Sequence, residues 1–173
     1  MKKIGRLMLV AVMALATAVT LRDAAAQPTE VFRDPFMLQL HVGNGLVYEE
    51  RFERAPYLAA NSVFLFTGDS FGINVTVDGD RISAMSYQKD AGKADVAFKL
   101  TQEKKTGNGS TTMLLVLQNR LMRPLVVDGF MTVPGKKGIY KTNILPVRPG
   151  LSNYESWPHP IVQLVLTNLR FAQ

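Results

Sequence analysis

The residue types with the greatest chemical potential are concentrated near the end of the chain, in the segment Asn153–Pro160 (N-Y-E-S-W-P-H-P). Tyrosine and tryptophan combine a large, rigid ring with a polar group, which suits them to recognition surfaces. The prolines on either side of His159 restrict its backbone to extended geometry. We therefore predict a loop that presents Tyr154, Glu155, Trp157 and His159 to a ligand or partner.

A structural role for the same segment is the competing hypothesis. The only tryptophan of a small β domain is usually well buried, so Trp157 would plug one end of the core. Glu155 would then accept hydrogen bonds from backbone amides of the turn. We favour this hypothesis, with Tyr154 and His159 on the outer side of the segment as the contact residues.

Catalytic and metal-binding patterns are missing from the sequence. His41 and His159 are far apart, with no H-x-H or H-E-x-x-H spacing. Glu49 and Glu50 are adjacent on a predicted strand and so point to opposite faces, which argues against an acid–base pair. There is no G-x-S-x-G, and the absence of cysteine removes thiol chemistry and Cys-ligated metals. We predict no catalytic residues, no metal ligands and no cofactor.

Met1–Ala26 has the three-part organisation of a secretory signal peptide. A basic start precedes the apolar run Leu7–Val19, and Ala24–Ala26 supplies small residues at the cleavage site. The run of 13 residues is shorter than the roughly 20 that a spanning helix needs. We predict cleavage near Ala26 and a periplasmic or secreted protein that does not span a membrane.

The chain after Ala26 is only slightly basic, with 16 Lys and Arg against 13 Asp and Glu. The net charge of +6 for the whole chain therefore falls to +3, because much of the positive charge belongs to the leader. The basic pairs Lys104–Lys105 and Lys136–Lys137 lie beside turn glycines, and no wider basic face is evident. Nucleic acid is therefore not expected as a partner.

Short alternating segments separated by turn residues dominate the rest of the chain. Asn44-Gly45 and Asp78-Gly79 predict two hairpins, and the second is expected to place Val75 opposite Ile82. Residues 54–61 are expected to form a connection with a helical turn. The apolar run Met113–Leu117 predicts a strand that is covered on both faces or that faces a partner.

We count about nine strands and no amphipathic helix after the leader. We predict an all-β fold, an antiparallel β-sandwich of immunoglobulin-like Greek-key type, with a small closed β-barrel as the alternative. Residues 27–35 would form a flexible lead-in and residues 36–173 a single domain.

The function expected from these observations is that of an exported, non-catalytic binding or interaction protein of the bacterial envelope. Its partner would be another exported protein or cell-wall carbohydrate. Two alternatives stay open. One is an envelope-acting hydrolase that uses an unrecognised carboxylate pair. The other is a periplasmic metal carrier that uses histidine and methionine.

Overall fold

The computed structural model describes residues 30–104 and 111–173, and the predicted signal peptide lies outside these ranges. The described chain forms thirteen strands and one turn of 3-10 helix at Ala91–Lys93. In chain order the strands are β1 (Val31–Arg33), β2 (Phe36–Gly43), β3 (Leu46–Phe52), β4 (Ala55–Ala59), β5 (Ser62–Leu65), β6 (Ser70–Asp78), β7 (Arg81–Gln88), β8 (Val96–Lys104), β9 (Thr111–Asn119), β10 (Leu125–Thr132), β11 (Tyr140–Thr142), β12 (Ser152–Trp157) and β13 (Gln163–Phe171). Within the two ranges, no helix has the length and hydropathy needed to cross a bilayer.

Two antiparallel sheets face each other, which confirms the predicted β-sandwich and shows the closed-barrel alternative to be wrong. The larger sheet has the order β1-β4-β5-β13-β10-β11, and the smaller has the order β12-β9-β8-β6-β7. The chain crosses from one of these two sheets to the other between β5 and β6, β9 and β10, β11 and β12, and β12 and β13. Such inter-sheet connections are those that a Greek-key sandwich requires.

The main core lies between the two sheets and is built by side chains that alternate along each strand. Phe98 and Leu100 of β8 point inward beside Met113, Leu115 and Leu117 of β9, and all five are fully buried. The intervening side chains of β9 are only half-buried. Of the two alternatives predicted for Met113–Leu117, full cover on both faces is not observed, and a strand that faces a partner stays a prediction. β9 lies between β12 and β8, and its outer face meets no second layer among the described residues.

The first predicted hairpin is confirmed, with β2 and β3 joined by Asn44-Gly45. Both turn residues have positive φ, +50° and +74°, as a type I′ turn requires. β2 and β3 form a two-stranded sheet of their own, which packs Leu38 and Leu40 against Phe66 in a second, smaller core.

The second hairpin is also present, but its predicted register is wrong. The turn residues are Gly79 and Asp80, so Asp78 pairs with Arg81 and Val77 with Ile82. Beyond that point the register shifts by one residue, since Thr76 pairs with Ala84 and leaves Ser83 as a bulge.

Two segments expected to be irregular form strands instead. Residues 54–61 contain β4, not a helical turn, because Ala55 and Leu58 are buried in the core. Residues 31–33 of the expected flexible lead-in form β1, which pairs with β4 and buries Arg33.

Candidate functional site

The segment Asn153–Pro160 is not the loop that its prolines suggested, because its first part belongs to β12. β12 runs along β9 without any irregularity, from Ser152 opposite Gln118 to Trp157 opposite Met113. The prolines fall after the strand and end it. The strand geometry decides the direction of each side chain, since successive residues point to opposite faces of the sheet.

Trp157 points inward and is 8% exposed, as the plug hypothesis predicts. Its ring belongs to the main core, and its Nε1 donates a hydrogen bond of 2.8 Å to Thr142 Oγ1. This bond satisfies the one polar atom of the ring and ties β12 to β11 of the opposite sheet. Trp157 is therefore part of the main core and is almost fully covered by the described protein.

Glu155 also points inward, towards the chain that connects β11 to β12. Its Oε1 accepts a hydrogen bond of 2.9 Å from the backbone amide of Leu145 and one of 3.2 Å from Asn153 Nδ2. Asn153 Nδ2 also donates to the carbonyl oxygen of Leu145 at 3.0 Å. The two side chains therefore hold the connection against the strand, as expected for a glutamate that binds backbone amides.

Tyr154 points to the outer face of the smaller sheet and is 69% exposed. Its cross-strand neighbour is Val116, and Leu114 lies one pair further along the same face. Val116 and Leu114 are half-buried, so the three side chains form an apolar strip beside the edge of the sheet. Among the predicted contact residues, Tyr154 is the most exposed to solvent.

The two histidines lie in different elements. His159 follows β12 and is half-buried, with its Nδ1 lying 3.2 Å from the carbonyl oxygen of Pro160. His41 lies in β2, where its backbone N–H donates to Gln102 Oε1 and its carbonyl accepts from Gln102 Nε2. In residues 30–104 and 111–173, no three His, Asp or Glu side chains converge into a set that could hold a metal ion.

The carboxylates of β3 and the adjoining turn each have a nearby partner. Glu50 accepts a hydrogen bond from the Tyr48 hydroxyl, while Glu49 accepts one from Gln39 Nε2 at 2.8 Å. The bond to Glu50, together with burial, raises the pKa of Tyr48 to about 12, so the phenol stays protonated at neutral pH. Glu53 pairs with Arg51 at 2.6 Å in an exposed position. Nothing in this arrangement leaves two carboxylates facing one another across a cleft.

Two features of the surface were not anticipated. One is that β12 is an edge strand, which depends on the order of strands in the sheet. The other is a groove between β7 and β13, which gathers residues from four separate parts of the sequence. The sequence of Asn168–Phe171 does not reveal the groove, because its alternating polar and apolar residues fit any half-buried strand.

Comparison of the chain with protein-family models, with curated proteins and with solved structures finds no match.

Proposed function

We propose that this chain is an exported, non-catalytic binding protein that holds an extended segment of another exported protein against the free edge of β12. The export rests on the signal-peptide pattern of residues 1–26. The binding mode is strand addition, in which the backbone of the partner continues a sheet and its side chains fill the neighbouring surface.

The observation that carries the proposal is the backbone pattern of β12. Asn119 N donates to Leu151 O at 2.9 Å, which makes these two residues a hydrogen-bonded pair of the antiparallel ladder. Because hydrogen-bonded and non-bonded pairs alternate, Asn153 and Glu155 also turn their backbone groups towards β9. Ser152, Tyr154 and Ser156 must then turn theirs away from the sheet. No backbone group in the described ranges bonds to these outward groups.

The other edges of the two large sheets carry the features by which proteins prevent unwanted pairing. β1 and β11 are only three residues long. β7 is longer but contains the bulge at Ser83 and begins at Arg81. β12 has six residues, a continuous register and no proline. It is therefore the edge best formed to accept another strand.

Exposed apolar side chains flank this edge. Tyr154 lies on the outer face, and Leu145 and Leu151 are each more than half exposed beside the strand. A cluster of exposed large hydrophobic residues next to a free edge is typical of a protein-binding surface. The apolar run Met113–Leu117 also predicts a strand that faces a partner. That prediction supports the same binding surface, because Leu114 and Val116 extend the apolar strip beside Tyr154.

The one charge of β12 does not oppose the addition of a strand. The Glu155 carboxylate already accepts hydrogen bonds from Leu145 N and Asn153 Nδ2. A partner would therefore cover a charge that has its hydrogen bonds in place, which avoids the cost of burying an unpaired carboxylate.

The proposal is tested with a photoreactive phenylalanine analogue placed at Tyr154 in the exported protein, with the same analogue at Leu46 as the matched control. Leu46 is exposed to a similar degree but lies at the tip of the β2–β3 hairpin. We expect position 154 to give covalent adducts with one exported protein in the intact envelope, and position 46 to give none with it. Adducts at both positions, or adducts of position 154 with glycan alone, would contradict the proposal.

Strand addition is distinguished from contact through side chains by amide hydrogen exchange on the complex with the protein identified by cross-linking. The amides of Ser152, Tyr154 and Ser156 should exchange rapidly in the free protein, because no described group accepts from them. Binding should slow all three by at least tenfold and leave the amides of β7 unchanged. Unchanged exchange at the three amides would exclude strand addition.

A further inference from the structure

A groove separates β7 from the final strand β13. β7 is the edge strand of the smaller sheet opposite to β12. It consists of two hollows of about 350 and 570 Å³ that share Ile82, Asn168 and Leu169, so the two are continuous. The combined volume is in the range of small-molecule binding sites. This groove is independent of the β12 edge and of the function proposed for that edge.

One end of the groove is rich in arginine. Arg81, Arg123 and Arg170 all line the larger hollow, together with Asp80 and the last residues of β13. Arg81 forms no ion pair with any residue in the described ranges. The guanidinium groups of Arg81 and Arg123 attract anions and can bind carboxylate or phosphate groups with paired hydrogen bonds.

Arg123 is already held in a position to bind such a group. Its guanidinium carbon lies 4.2 Å from the centroid of the Phe171 ring, which supports one face of the planar group. Its Nη1 donates to Asp80 Oδ1 at 2.9 Å, but the Asp80 side chain is 91% exposed. An ion pair this exposed contributes at most about 1 kcal/mol, so an incoming anion can replace Asp80.

Arg170 is fixed by a second set of contacts around a bulge in β13. Asn168 has a positive φ of 54°, and its Nδ2 donates to Asp128 Oδ2 at 2.8 Å. Arg170 pairs with Asp128 Oδ1 at 3.3 Å and donates to the carbonyl of Asn168 at 2.8 Å. The bond from Asn168, reinforced by Arg170, lowers the pKa of Asp128 from its usual value. Bulges of this kind redirect side chains next to binding sites.

The other end of the groove has a different character. The smaller hollow is lined by the polar residues Asn61, Thr167 and Asn168, and by Met85 and Leu169, which are buried. A surface with hydrogen-bonding walls and an apolar floor suits a sugar ring, which presents hydroxyl groups at its rim and C–H groups on its faces. The arginines and this hollow adjoin each other, so a single ligand could reach both.

We propose that the groove between β7 and β13 binds an acidic saccharide, with its anionic group at Arg81 and Arg123 and its sugar ring over Ile82 and Leu169. The carboxylate, phosphate and sulfate groups that such saccharides carry share the chemistry that the arginines recognise. The apolar residues and the polar residues of the smaller hollow together favour a saccharide over a free anion.

The first test applies the purified protein without residues 1–26 to an array of saccharides that carry carboxylate, phosphate or sulfate groups, with their neutral parent sugars alongside. Inorganic phosphate is measured separately by calorimetry. We expect at least one acidic saccharide to bind ten times more tightly than its neutral parent and than inorganic phosphate. Equal binding of phosphate would reduce the groove to a simple anion site, and retention of no acidic saccharide would overturn the proposal.

The second test uses substitutions that move affinity in opposite directions. Arg123→Gln should weaken binding of the selected saccharide at least tenfold, because a charged hydrogen-bond donor is lost. Asp80→Asn should strengthen it several-fold, because the carboxylate that competes for Arg123 loses its charge. Arg148→Gln, at an exposed arginine between β11 and β12, is the matched control and should leave affinity unchanged. Equal effects of Arg123→Gln and Arg148→Gln would show that the groove is not the site.

Discussion

Arg33 is the one charged residue in the described ranges that the fold buries. Its guanidinium pairs with the Asp69 carboxylate, donates to the carbonyl oxygens of Pro56 and Phe64, and lies 3.8 Å from the centroid of the Tyr57 ring. Asp69 also accepts a hydrogen bond from the Phe66 amide at 2.7 Å. The arginine therefore joins β1, β4 and β5 to the turn that leads into β6.

This network implies that removal of the arginine is far more costly than loss of a surface ion pair. Arg33→Ala should lower the free energy of unfolding by about 3–5 kcal/mol, because the Asp69 carboxylate, which is only 14% exposed, loses the cation that compensates its charge. Urea unfolding followed by circular dichroism measures the change. Arg51→Ala, which removes the exposed pair with Glu53, is the control and should cost about 0–1 kcal/mol.

The double variant Arg33→Ala with Asp69→Asn separates the two sources of the loss. Because the Asp69 charge is then absent as well, the double variant should be more stable than the sum of the two single changes predicts. Strict additivity of the two substitutions would contradict the role assigned to the pair.

At the scale of elements, the sequence predicts what is determined locally. The hairpin turn at Asn44-Gly45 is visible because its two residues must adopt positive φ. Alternation in residues 94–100 predicts the buried row Ala94, Val96, Phe98 and Leu100, because a strand with one solvent-exposed face has apolar residues at every second position. These local requirements explain why the all-β class and the sandwich could be predicted.

Features that depend on distant residues could not be predicted. The bulge at Ser83 shifts the β6–β7 register, and nothing in the hairpin sequence specifies it. β1 becomes ordered through Arg33 and Asp69, which are 36 residues apart. At the candidate site, the burial of Trp157 and the exposure of Tyr154 agree with the sequence, but the free edge of β12 follows only from the order of strands.

Close contact between β6 and β8 gives a prediction at this scale. A Cβ added at Gly72 would lie 2.2 Å from Ala94 Cβ and 2.6 Å from the carbonyl oxygen of Val96. The backbone oxygen belongs to a paired strand and cannot move without disturbing the sheet. Gly72→Ala should therefore destabilise the protein by about 1–3 kcal/mol, measured by urea unfolding.

Gly92→Ala is the matched control for this substitution. Gly92 lies in the short 3-10 turn, and its added Cβ would approach only the Asp90 side chain, at 3.1 Å. We expect a change within about 0.5 kcal/mol there. If the two alanine variants unfolded at the same urea concentration, the close approach of β6 and β8 would not limit the packing of the sheet.

The molecule as a whole consists of a sandwich and a hairpin that is attached to it rather than built into it. β2 and β3 pair with each other and with no strand of the two large sheets. The hairpin is attached through the small second core around Phe66 and Val162, and through hydrogen bonds between the backbone of His41 and the side chains of Gln102 and Thr111. Elements with few attachments open at a lower free energy than the central strands of a domain.

We therefore expect the hairpin to open as a unit while the sandwich stays folded. Gln102→Ala removes both side-chain hydrogen bonds to His41, at 2.9 and 2.8 Å. The amides of β2 and β3 should then exchange with solvent about tenfold faster, which corresponds to the loss of roughly 1–1.5 kcal/mol from two neutral hydrogen bonds. Exchange at the amides of β8 and β9 should change little, because those strands open only when the whole domain unfolds.

Gln118→Ala is the control, since Gln118 lies on β9 and accepts a hydrogen bond from Arg120 instead of contacting the hairpin. Acceleration of β2, β3, β8 and β9 by the same factor would mean that the hairpin and the sandwich unfold together, and the second core would then be part of a single cooperative unit.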